Sequence, residues 1–135
     1  MIAQETYGLS TRVSLPYEEA VELTRARLAD EGFGVLTEID VRATFKKKLD
    51  VDFRPYVILG ACNPPLAHQA LSGELDIGLL LPCNVIVYQG DDPGESTVAA
   101  IDPVVQLGVT GNDEIGPLAE EVKSRLVRVL DAIAQ

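Results

Sequence analysis

Basic residues are scarce in this chain: 11 Lys and Arg stand against 21 Asp and Glu, a formal net charge of −10 at pH 7. That balance argues against a nucleic-acid partner, because phosphate backbones are held by cations clustered on a positive face. An acidic surface mainly confers solubility. Long apolar runs are missing too. The longest, Ile77 to Tyr88, covers twelve residues and contains Pro82, whereas a membrane-spanning helix needs about 20. The opening residues Met1, Ile2, Ala3, Gln4 and Glu5 show neither the basic nor the apolar region of a secretory signal, so the expected location is cytoplasmic. Cysteine is limited to Cys62 and Cys83, and histidine to His68. In a reducing compartment two such cysteines are expected as free thiols. No phosphate-binding glycine loop, metalloprotease helix motif or GxSxG elbow occurs, so the usual enzyme signatures are absent.

What is present is the composition of an ordinary globular domain. With 135 residues, 47% hydrophobic and 24% charged, the chain suits one domain, residues 1–135, that buries roughly two thirds of its unfolded surface. Between Glu5 and Leu15 the apolar residues alternate, with Tyr7, Leu9, Val13 and Leu15 on one face of a half-buried strand. Ser14 and Pro16 read as a helix start, and Gly32 as the left-handed stop of a helix burying Tyr17, Ala20, Val21, Thr24 and Leu28. Phe33 to Val41 returns as a strand, with Phe33, Val35, Ile39 and Val41 opposite Glu38 and Asp40. Arg42 to Leu49 suits one or two turns of helix. Its Lys46, Lys47 and Lys48 form the only basic cluster, which reads as a solvated charge run.

The stretch from Tyr56 to Tyr88 holds both cysteines and the histidine. A strand over about Phe53 to Cys62 is apolar on both faces. Asn63 can cap the next helix, Pro64 and Pro65 fit its first turn, and Leu66, Ala67, Ala70 and Leu71 make its buried stripe. A second long strand, about Gly78 to Gln89, is again apolar on both faces. Gln89 to Glu95 reads as a turn, Ser96 to Ile101 as a short strand, and Asp102 to Asp113 as a loop. Pro117 opens a final helix with a stripe of Leu118, Val122, Leu126, Val129, Leu130 and Ile133.

These are about five strands and three main helices. The outer strands alternate as in an antiparallel sheet with one wet face, while the central ones look covered twice. Three helices cover one face only. A second subunit or a ligand is then expected on the other, which makes a homodimer the expected assembly.

Three segments, GFGVLTEIDV from Gly32 to Val41, YVILGACNPPLAHQAL from Tyr56 to Leu71 and IGLLLPCNVIVY from Ile77 to Tyr88, resemble an uncharacterised conserved family, domain of unknown function 302. The resemblance implies an α+β two-layer sandwich, a mainly antiparallel sheet with helices packed on one face, in outline like the TATA-binding-protein-like folds. It also implies a small soluble prokaryotic protein, dimeric in assembly. The family's recurring residues fall here on Gly60, Cys62, Asn63, Pro64, Leu66 and Ala67, then on Leu81, Pro82, Cys83, Asn84 and Val85. It implies no reaction and no cofactor.

The candidate chemistry therefore lies at the two Cys-Asn corners. Cys62 ends a strand just before a helix, where the helix dipole can lower a thiol pKa. Pro64 and Pro65 oppose this by removing two backbone donors. If the two long strands are antiparallel neighbours, Cys62 and Cys83 come close enough for a reversible disulfide or a soft metal, with His68 as a third ligand. The metal reading is poor, since short-spaced ligand pairs are lacking and His68 should face solvent. The leading expectation is a small apolar or amphipathic ligand held near Cys62, Asn63, Pro82 and Asn84. A thiol-dependent enzyme or sensor using Cys62 with Cys83, and a purely structural role for the motif, stand as alternatives.

Overall fold

A computed structural model describes residues 2–134. Six strands form one sheet: β1 (Ala3–Gln4), β2 (Gly8–Val13), β3 (Gly34–Asp40), β4 (Tyr56–Cys62), β5 (Cys83–Gln89) and β6 (Ser96–Ile101). Their spatial order is β1-β2-β6-β5-β4-β3, with every neighbouring pair antiparallel. The helices are α1 (Tyr17–Asp30), α2 (Val41–Leu49), α3 (Pro64–Gly73), α4 (Pro103–Gly108) and α5 (Gly116–Ala134). Five strands were expected; the sixth, β1, is a two-residue edge beside β2. Among the described residues no helix is long and apolar enough to cross a membrane.

The sheet is organised by alternation, since successive side chains of a strand point to opposite faces. Val57, Leu59 and Ala61 of β4, Val85 and Val87 of β5, Val98 and Ala100 of β6 and Leu9 of β2 share one face and are buried. Against them pack Ala20, Val21 and Leu28 of α1, and Val122, Leu126, Val129, Leu130 and Ile133 of α5. Each of the larger side chains stabilises the fold by about 1.5–3 kcal/mol through removal from water. The α5 stripe is buried as its spacing requires, and on its outer side Glu121 accepts from Arg125 Nε at 3.0 Å. No helix is needed on the other face for any of these contacts. That face carries Tyr56, Ile58, Ile86, Tyr88, Ala99 and Ile101, all only partly buried.

Gly32 stops α1 with φ +84°, a conformation that costs glycine little. The start of α1 differs from expectation. Pro16 is the capping residue and no side chain caps the helix; Ser14 lies too far upstream, and the two glutamates of the first turn face the helix N-terminus instead. Tyr7 also departs from its expected inner face: it lies before β2 and is 69% exposed.

Two further departures arise in the strands. In β3 the pairing with β4 slips between Val35 and Thr37. Leu36 is the extra residue of this bulge, so Ile39 ends on the opposite face from Val35. Leu36 and Ile39 are consequently exposed, by 66% and 49%. Glu38 pairs with Arg25 of α1 at 2.8 Å, and Asp40 caps α2 by accepting from Ala43 N at 2.9 Å. The second long strand begins only at Cys83, because Leu75–Leu80 forms a 3₁₀ segment. Pro82 has no N–H to give to a ladder, so the strand cannot run through it.

The expected loop after β6 contains α4. Asp102 caps it by accepting from Val104 N at 3.0 Å, and Pro103 fills the first helical position. The same carboxylate, almost fully buried, accepts from Lys123 Nζ of α5 and Gln4 Nε2 of β1, both at 3.0 Å. Burial alone would raise the Asp102 pKa, but the Lys123, Gln4 and Val104 hydrogen bonds outweigh it and hold the pKa below the usual carboxylate value.

Candidate functional site

The two Cys-Asn corners are built by one register. Strands β4 and β5 are antiparallel neighbours, with Ala61 opposite Cys83 and Gly60 opposite Asn84. Beyond Cys62 the chain turns into α3, whose cap is Asn63: its Oδ1 accepts from Leu66 N at 3.3 Å. Asn63 is buried and packs on Gly32, where an added Cβ would lie 2.9 Å from Asn63 Nδ2. The end of α1 and the start of α3 are thus wedged together. Across the ladder, a Cβ on Gly60 would lie 2.1 Å from Thr37 Oγ1 and 2.8 Å from Pro82 Cγ. Only glycine lets those two groups close over the strand.

Around this corner lies a cavity of about 300 Å³. Cys62, Asn63, Pro82 and Cys83 line it from the motif, and Leu66, Ala67, Ala70 and Leu71 from α3. Phe33 and Thr37 come from the β3 region, Leu107 from α4, and Leu118 and Val122 from α5. The lining is almost wholly apolar. A larger groove of about 440 Å³ lies on the uncovered sheet face, between the β1–β2 turn and Ile86, Tyr88 and Ile101. Its walls are part polar, so the smaller cavity is the better receptor for an apolar molecule.

Three of the four expected ligand-binding residues, Cys62, Asn63 and Pro82, line the cavity together. Asn84 does not. It follows Cys83 along β5, so its side chain emerges on the uncovered face, where it is exposed and lines the groove. His68 is exposed on α3 and lines neither space. Among the described residues no cluster of three or more His, Cys, Asp or Glu could hold a metal ion. The lysine cluster is likewise solvated, with Lys46 paired to Asp50 at 3.0 Å and to Asp52 at 3.5 Å.

The thiols are free. Burial pushes the Cys62 pKa up, against the lowering that a helix N-terminus would give. The prolines at the first positions of α3 leave few N–H donors near the sulfur to oppose that rise. Burial, followed by the neighbouring Cys62, pushes Cys83 to about 11. Both are thiols at neutral pH, and neither has the profile of an activated nucleophile. Cys83 Sγ donates to Gln106 Oε1 at 3.7 Å, and Gln106 Nε2 in turn donates to Leu80 O. Since Ala61 faces Cys83 across the ladder, the next residue, Cys62, projects to the other side of its strand.

The DUF302 family model, a domain of unknown function, matches residues 9–133. The chain belongs to the DUF302 family. Its fold is similar to the crystal structure of an uncharacterized conserved DUF302 protein from Bacillus stearothermophilus, with 31% sequence identity and a TM-score of 0.87. That match covers 96% of this chain and 99% of the other. The search of curated proteins finds no match to the sequence. The α+β architecture is therefore that of a DUF302 protein. Sequence reasoning missed the wall that Phe33, Leu107, Leu118 and Val122 give to this DUF302 cavity. Leu118 and Val122 belonged to a recognised stripe, but nothing local to them shows that its first turn borders a space.

Proposed function

We propose that this DUF302 domain binds a small apolar or amphipathic molecule in the cavity at the Cys-Asn-Pro corner. The observation that carries the reading is the convergence of Cys62, Asn63 and Pro82 on an apolar space of about 300 Å³, walled by α3, α4 and α5. A cavity of about 150 Å³ already admits benzene, so the occupant is a single ring with substituents or a short branched chain. Orientation would come from the few polar groups present, the Cys62 and Cys83 thiols and Asn63. A thiol-dependent reaction draws no support from two protonated, partly or wholly buried sulfurs.

The test is titration of substituted benzenes of increasing size, followed by thermal shift and by NMR shifts of Ala67 and Ala70. Saturable binding to the wild type, lost by at least about tenfold in affinity in Ala67→Phe, supports the reading. A folded wild type that binds none of the series, or an Ala67→Phe variant that binds as well, ends it.

A further inference from the structure

The groove of about 440 Å³ on the uncovered face shares no lining residue with the corner cavity. Its floor is formed by Asn84 and Ile86 of β5 with Ala99 and Ile101 of β6, and its wall by the turn from Glu5 to Gly8. That wall is fixed by its backbone. Glu5 N donates to Gly8 O at 2.6 Å, and Asp102 N donates to Tyr7 O at 2.9 Å. Behind them Gln4 Nε2 donates to Glu5 O and to the Asp102 carboxylate, both at 3.0 Å. A ligand entering the groove therefore meets a turn that is already ordered, which favours binding.

Two tyrosines and one carboxylate border this space. Tyr88 stacks on Tyr56, with ring centroids 5.3 Å apart and planes 10° from parallel. Because Tyr56 lies on β4, the stack supports Tyr88 from that side and leaves its β6 side to the groove. Tyr7 approaches from the turn. Burial raises the Tyr56 pKa, and Tyr88 and Tyr7 raise it further, so the three phenols lie within electrostatic reach of one another. Glu5 stands beside Tyr7 on the same wall, and among the described residues its carboxylate has neither a hydrogen bond nor an ion pair. Arg12, on the same sheet face, lines a separate pocket with Asp91, Asp92 and Glu95.

These surroundings select by charge and by softness. The quadrupole of a phenol ring draws cations to its face, and a carboxylate without a protein cation adds to that attraction. An anion would be repelled by Glu5 and by the net charge of −10. A bare hard metal ion needs several oxygen ligands, and among the described residues no group of three or more His, Cys, Asp or Glu offers them. A nitrogen cation clothed in alkyl groups meets every surface: its charge suits Glu5, its methyl groups the rings, and its remaining carbon Ile86 and Ile101. We propose that the groove binds an organic ammonium ion, the alkylated nitrogen held by Tyr7 and Tyr88 with Glu5 as its counter-charge. The site is separate from the apolar cavity at the Cys-Asn-Pro corner, and either can fail without the other.

The test titrates choline into the wild type and compares it with dimethylbutanol, the neutral isostere that has carbon in place of the nitrogen. Tyrosine emission follows binding, since Tyr7, Tyr56 and Tyr88 are three of the four tyrosines and no tryptophan obscures them. NMR shifts of Ile86 and Ala99 locate it. Choline should bind saturably and at least about threefold tighter than the alcohol, with Ala67 and Ala70 of the corner cavity unshifted. Glu5 and Tyr7 are both exposed, and circular dichroism identifies the variants that fold. Tyr7→Ala should weaken choline binding by at least about threefold, while Tyr7→Phe, which keeps the ring, should retain it. Glu5→Gln should weaken choline and leave the alcohol unchanged. A folded wild type without saturable choline binding overturns the proposal, as does an alcohol that binds equally well. So do Tyr7→Ala and Glu5→Gln variants of unchanged affinity, shifts confined to Ala67 and Ala70, or a second copy of the chain that sediments with the first and excludes choline from the face.

Discussion

The two faces of the DUF302 sheet use the same residue types for different ends. On the covered face Leu59, Val85 and Val98 are packed under α1 and α5. On the uncovered face Ile58, Ile86 and Ala99, their immediate neighbours in the strands, are only partly buried. Alternation lets one strand serve both without compromise. The lesson is that an apolar strand in a two-layer fold can be packed fully on one face and only partly on the other. The cavity sits where that distinction fails, at the end of β4, where Ala61 and Cys83 from one face and Thr37 and Pro82 from the other border a single space.

The sharpest way to break the comparison is truncation on each face. Leu59→Ala should cost about 2–5 kcal/mol in chemical unfolding, whereas Ile86→Ala should cost under about 1.5 kcal/mol. Equal losses would mean that the uncovered face is as tightly packed as the core. Gly60→Ala comes next. Its Cβ must displace Thr37 and Pro82, so a loss of about 1–3 kcal/mol is expected, accompanied by a changed cavity. A neutral result would show that the two groups part easily.

Asn63→Ala removes the α3 cap and should cost about 1 kcal/mol; Asn63→Asp, which keeps the acceptor oxygen, should restore much of it. Failure of Asp to do so would shift the role of Asn63 from cap to contact with Gly32. The smallest expected effect is in pH dependence. Cys83 has its folded pKa raised to about 11, so above about 8.5 the unfolded chain loses that proton first. Its share of stability is whole below that pH and is lost as pH climbs through the folded value. The stability curve of Cys83→Ala should therefore fall less steeply than that of the wild type on the alkaline side. Parallel curves would mean that the thiol titrates normally.

Much of the fold is legible in the sequence. The α5 stripe, the Asn63 cap and the left-handed Gly32 follow from periodicity and local chemistry, whereas the antiparallel pairing of the two long strands stood in the sequence only as a condition that the sheet meets. Glu38 and Asp40 stand out in the sequence as the polar side of their strand, and the structure gives one a partner and makes the other a cap. What stayed hidden depends on single-residue events. The bulge at Leu36 reverses faces with no glycine at the extra residue itself, and the segment before Pro82 keeps an apolar sequence while leaving Leu75 and Leu79 in solvent. The α4 helix carried an Asp-Pro signal in Asp102 and Pro103, parallel to Asn63 and Pro64, but its six residues are too few to show a stripe. The cavity was legible as a place, through its motif, but not as a volume, since its far wall comes from helices distant in sequence.

The order of the sheet also governs how the chain comes together as it is made. Strand β2 pairs with the short β1 and with β6, and Val13 meets Ser96 across roughly 80 residues. At a synthesis rate of about 5–20 residues per second, β2 waits several seconds for its main partner. During that interval Leu9 and Thr11 have no sheet to enter, and a nascent strand with an open edge is what chaperones recognise and what aggregation exploits. A strand made early stays unprotected until late, so demand for assistance during synthesis should track the arrival of β6 rather than the completion of β4 and β5.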